Sequence, residues 1–128
     1  MDQDRYKGVL LSDLRIEAIV WTQERIDHIR TRTVRYGAAE TNLEPEWVNE
    51  AIMDEDRIVA VSGGDKEETS SLKVVGYSIS TDSVLKAWIW SDSPATTATW
   101  NAGSASVAND GDRRRYGAGK EDKDVDQS

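Results

Sequence analysis

The strongest alternation of apolar and polar positions runs through Leu72 to Ser80 and Val84 to Trp90, at the two-residue period of a β-strand. In the second run Val84, Lys86, Trp88 and Trp90 share one face, and Leu85, Ala87 and Ile89 share the other. Both faces are largely apolar, which places this strand centrally in its sheet. Thr81-Asp82-Ser83 between the runs is a tight turn, so the two should pair antiparallel. Shorter strands are expected over Arg15 to Trp21, over Arg57 to Val61, and from Trp100 into the segment before Arg113.

Helical spacing appears in two places. Thr22 can cap a helix reaching about Arg32, with Ile26 and Ile29 on its apolar stripe. Pro45 suits a first helical position, and Val48, Ala51 and Ile52 then recur on one face. A third helix should end in Arg113-Arg114-Arg115-Tyr116, interrupted by Gly111. Thr33 to Ala39 and Ser91 to Thr99 read as loops, and Gly63 to Ser71 as a mobile hairpin loop. Together these predict the α+β class: an antiparallel sheet of about four strands with two or three packed helices. A single domain over residues 13–117 is expected, between a flexible N-terminus (1–12) and a disordered acidic tail (118–128).

Composition narrows the chemistry. The chain has no Cys and one His, so a thiolate or multi-histidine metal site is not expected. Asp54-Glu55-Asp56 could bind a hard cation weakly, but a solvated helix end explains it as well. Gly63-Gly64 lacks the Lys-Ser/Thr continuation of a phosphate loop. No cofactor, membrane span or signal peptide is indicated, and a cytoplasmic protein is the default expectation. Net charge is −8; setting aside Asp2, Asp4 and the tail leaves 14 basic and 18 acidic residues. Polyanion binding would therefore need the arginines at 30–35 and 113–115 gathered on one surface.

The order of the pieces resembles the BrnT family of toxins, relatives of the RelE-like ribonucleases. The resemblance rests on Ile16 to Thr22 followed by His28, on Leu43-Glu44-Pro45-Glu46-Trp47-Val48, and on Val74-Val75-Gly76-Tyr77-Ser78. It closes on Ser104-Ala105-Ser106 and Asp112-Arg113-Arg114-Arg115-Tyr116. Ser106 stands where the family usually has an arginine. The resemblance implies a RelE-like fold, a metal-independent endoribonuclease acting on mRNA, and a ribbon-helix-helix antitoxin as partner. In such chemistry the ribose 2′-hydroxyl attacks the phosphodiester, and arginines stabilise charge on phosphorus.

Candidate catalytic residues are then Arg57, Lys73, Arg114, Tyr116 and His28. Arg114 and Arg57 would hold phosphate, and His28 could move a proton or serve a partly buried structural role. Tyr116 could stack on a base, donate a proton, or simply anchor a helix end in the core. Arg30, Arg32, Arg113 and Arg115 are candidates for RNA binding, and Trp100 for a partner anchor at the groove rim. Trp47, Trp88 and Trp90 could share a core. A catalytically silent, protein-binding BrnT-like domain is the alternative, favoured by Ser106 and the acidic composition. An α+β domain unrelated to toxins is a third.

Overall fold

The computed structural model describes residues 5–62 and 70–127, with 119–127 described as backbone only. Residues 63–69 of the expected hairpin loop lie outside the described residues. Elements follow in the order β1 (Arg5–Tyr6), β2 (Val9–Leu10), β3 (Ala18–Val20), α1 (Gln23–Arg30), α2 (Arg32–Tyr36), α3 (Pro45–Ile52) and β4 (Ile58–Ser62). The chain continues with β5 (Ser71–Ser78), β6 (Ser83–Trp90), β7 (Thr99–Val107) and α4 (Asp110–Gln127).

The fold is mixed α+β. Its main sheet has five strands in the order β3-β7-β6-β5-β4, and β1-β2 form a separate two-stranded ribbon. β4 to β7 make the expected antiparallel meander, with β6 at the centre. The expectation of a wholly antiparallel sheet is corrected by β3, which pairs parallel to β7 through Ala18, Ile19 and Val20. A parallel neighbour needs a long crossover, and here helices α1 to α3 and the meander fill it.

Local signals explain most boundaries. Thr22 Oγ1 accepts the Arg25 amide at 3.2 Å, the side-chain cap that starts α1. α1 stops at Arg30, short of the expected end near Arg32, and Thr33 to Tyr36, expected as loop, lie in the short α2 before Gly37 at φ +110°. Pro45 opens α3, which buries Val48, Ala51 and Ile52. Gly111 does not break α4: Asn109 Oδ1 accepts the Asp112 amide at 2.8 Å and starts the helix around it. α4 then runs through Gln127, across the segment expected to be disordered.

The two faces of the sheet differ. On one, Leu72, Val74, Leu85, Ala87, Ile89 and Ala105 pack with Ile29 of α1, with α3, and with Tyr6. Tyr6 is fully buried and its hydroxyl donates to the Ser70 carbonyl at 3.1 Å, so residues expected to be a flexible N-terminus close this core. On the other face, Val75, Ala108 and Tyr116 form a smaller cluster beneath α4, with Ile58, Tyr77 and Val84 against it. α1 and α4 thus lie on opposite sides of the sheet.

β7 changes phase along its length. Trp88 pairs with Ser104 but Ile89 pairs with Ala102, leaving Gly103 as the extra residue of a bulge. Trp100 before the bulge and Ala105 after it therefore point into the same core. Trp100 is fully buried and its indole N–H donates to the Arg15 carbonyl at 2.8 Å. The expected rim anchor is a core residue instead. Trp47 packs against that core from α3, whereas Trp88 lies on the opposite face, so the two do not share a core as expected.

Candidate functional site on the cationic sheet face

Strand alternation sends Lys73 of β5, Lys86 and Trp88 of β6, and Ser104 and Ser106 of β7 to the face beneath α4. The first turn of α4 lowers Asp112 onto this face, where it is completely shielded from solvent. Its Oδ1 accepts from Lys73 Nζ at 2.8 Å and from the Arg115 guanidinium at 2.7 Å. Lys86 Nζ lies 3.8 Å from Oδ2, beyond hydrogen-bonding distance, and Oδ2 has no hydrogen-bond partner. Burial alone would raise the Asp112 carboxyl; hydrogen bonds from Lys73 and Arg115 outweigh it and hold the group below the ordinary aspartate range.

Three cations surround one carboxylate, so the cluster keeps a positive excess in a chain that is acidic as a whole. Trp88 sits between the two lysines, whose nitrogens lie 5.9 and 5.6 Å from its ring centroid. Beside the cluster an open cleft of about 310 Å³ runs between β4 (Ile58 to Ala60), β5 (Lys73 and Val75) and α4 (Asp112 and Arg115). Its walls are mostly apolar and its α4 end is cationic. Ser106, where the resemblance expects arginine, stands opposite Lys86 on this same face.

The remaining predicted residues are not gathered here. Tyr116 is buried; its hydroxyl donates to Asp54 Oδ2, which also accepts the Tyr77 amide at 2.8 Å. Burial first, and then the Asp54 carboxylate, push the Tyr116 phenol far above its usual range. Arg57 donates to the Ile52 carbonyl at 3.2 Å and closes the C-terminus of α3. Arg114 is exposed on α4. Arg113 pairs with Asp110 and donates to the Ala108 carbonyl at 2.7 Å.

His28 lies on α1, across the sheet from Lys73 and Asp112. Burial and then the nearby Arg35, Arg25 and Arg32 lower its pKa. Arg30 binds Glu44 and Arg32 binds Glu40, each at 2.8 Å, so two of the four α1–α2 arginines are balanced by carboxylates that follow α2. Arg32 also donates to the Ala105 carbonyl at 3.2 Å, from a strand edge that β3 does not reach. The arginines of α1–α2 and those of α4 do not make one surface.

Sequence reasoning missed Asp112, Lys86 and Trp88. The signal for Asp112 was present in Asn109-Asp110-Gly111-Asp112, a cap followed three residues later by an acid. That pattern normally returns the acid to the cap; here the lysines of the sheet take it.

Among the described residues no group of three or more His, Cys, Asp or Glu is placed to hold a metal ion. No helix among them is long and apolar enough to cross a membrane. Compared with known proteins, the chain matches no family model, and no curated protein or solved structure is significantly similar to it.

Proposed function

We propose that this chain is a BrnT-like domain of RelE-like fold that works by binding a protein partner and does not cleave RNA. One observation carries this reading: the groups that cleavage would need are divided between the two sides of the sheet and committed to other tasks. Tyr116 is held by Asp54, Arg57 closes α3, and His28 lies across the sheet from Lys73. Lys73 is engaged by a buried carboxylate. Among the described residues of the cationic cluster the carboxylate is Asp112, which Lys73 and Arg115 hold below the ordinary aspartate range, so it is a weak proton acceptor. The partner implied by the resemblance is a small ribbon-helix-helix protein, and the cleft beside α4 is the surface it would use.

A metal-independent endoribonuclease is the second reading. It is favoured by Lys73 and Lys86 flanking Trp88, with Arg115 on the Asp112 carboxylate they share, an arrangement suited to phosphates and a stacked base. Incubating purified protein with labelled mRNA separates the two. Intact RNA over a range of pH, with no growth arrest on expression, is the expected result. Cleavage that is lost in Arg115→Gln would reverse the assignment.

A further inference from the structure

β4 ends the sheet, and its outer edge has no strand partner among the described residues. Its sequence, Ile58-Val59-Ala60-Val61-Ser62, holds no charged residue and no proline, and its pairing with β5 runs without a bulge. Edge strands are normally blunted by one of these devices, because a bare edge invites another chain. Here the edge also borders the cleft. Ile58, Ala60 and Val75 supply apolar walls on the α4 side, and Lys73 and Arg115 supply the cationic end.

We infer that β4 accepts an extended acidic segment of a partner polypeptide as a sixth strand of the sheet. Main-chain hydrogen bonds to the β4 edge would give affinity, and alternate side chains would enter the cleft. An apolar side chain fits against Ile58 and Val75. A carboxylate two residues along falls toward Arg115 and Lys73, where three cations exceed the single charge of Asp112. The donors required by the partner are those of an ordinary strand.

Charge and shape together select this occupant. A second copy of the chain would bring its own β4, which carries no acid to meet the cations, and each copy has a net charge of −8. A single-stranded RNA has no backbone donors and acceptors in strand register, and the cleft walls are more apolar than a phosphodiester needs. The inference rests on the protein-binding reading above but is tested separately from it.

The probe is a short labelled peptide with a Thr-Val-Thr-Glu repeat, which sets valine and glutamate two residues apart on one face, and the control replaces each glutamate with lysine. The valine–glutamate peptide should bind and the control should not. Methylating alternate backbone nitrogens of the peptide should abolish binding in one register and spare it in the other. Arg115→Gln, at a side chain two-thirds exposed, should weaken binding about fivefold while the protein stays folded, with a thermal midpoint lowered by no more than the loss of one hydrogen bond to Asp112. Ala60→Lys, at the exposed position of β4, should block the cleft and abolish binding.

Equal binding of both methylated registers would overturn strand addition. Equal binding of the two unmethylated peptides would overturn the acidic occupant. A dimer in sedimentation that Ala60→Lys dissolves would assign the edge to a second copy instead. An oligoribonucleotide that displaces the bound peptide would assign the cleft to RNA. RNA cleavage with peptide binding intact would overturn the silent reading while leaving the strand site in place.

Discussion

Lys73 donates a 2.8 Å hydrogen bond to Asp112, a carboxylate with no solvent exposure, and this pair ties α4 to the face of the central sheet. A small apolar cluster around Val75, Ala108 and Tyr116, and the hydrogen bond from Tyr116 to Asp54, also hold the helix there. Removing one member of a buried ion pair leaves the other desolvated and uncompensated. Asp112→Ala should therefore cost about 3 kcal/mol in denaturant unfolding. Thermal unfolding followed by circular dichroism should show α4 loosening before the sheet does.

The same pair sets an acid limit. The folded Asp112 carboxyl lies below its unfolded value, as does Glu50, which hydrogen bonds from Ser80 and Ser78 hold down. Groups lowered on folding bind protons more readily when unfolded, so their stabilisation is complete above the ordinary carboxylate range. It is lost as pH falls through the folded values, a decline expected below about pH 4. Midpoints measured from neutral pH downward should fall less steeply in Asp112→Asn. An unchanged slope would mean that Asp112 contributes nothing to acid unfolding.

Tyr116 offers a spectroscopic check on its role. Its hydroxyl is engaged by Asp54 and its ring is buried beneath α4, which push its ionisation far upward. Alkaline titration at the phenolate absorbance should find a component that ionises only when the protein unfolds, and Tyr116→Phe should reduce it by one tyrosine. The substitution should also cost about 1 kcal/mol, the ordinary value of a lost hydrogen bond. A tyrosine poised to donate a proton to RNA would titrate lower and more freely.

The meander was legible because β6 carries a clean two-residue alternation, and its two apolar faces placed it at the centre of the sheet. β7 was not, because the bulge at Gly103 shifts the phase and hides which side Trp100 faces. Tyr6 was missed for a different reason: two-residue strands carry no measurable period, and burial of the ring depends on Ser70 and Ser91, far along the chain. The cationic face was half legible. Lys86 and Trp88 could be put on one face from sequence, but their convergence on Asp112 depends on where α4 lands. Parallel pairing of β3 with β7 likewise depends on a long crossover that no local pattern encodes.

Gly76 marks the closest approach of α3 to the sheet. A Cβ built there would lie 1.9 Å from the Ala51 carbonyl oxygen, a backbone atom that cannot turn aside. Gly76→Ala should push α3 off β5 and cost about 3 kcal/mol, the upper end of ordinary overpacking. The pairing of Gly76 with Leu85 places the damage in the central hairpin, so hydrogen exchange should accelerate across β5 and β6 together. Exchange confined to α3 would mean that the helix alone yields.

Trp100 decides between a docking role and a packing role. It has no exposed surface, stacks at a tilt against Tyr6 with centroids 5.3 Å apart, and donates to the Arg15 carbonyl. Truncation would open a cavity between the N-terminal ribbon and the sheet and orphan that carbonyl. Trp100→Ala should cost about 4 kcal/mol, within the range for large aromatic deletions. Its fluorescence in the native protein should be shielded from aqueous quenchers, unlike that of Trp90, which is partly exposed. A folded Trp100→Ala protein with an unchanged midpoint would return the residue to the surface role that its burial now denies it.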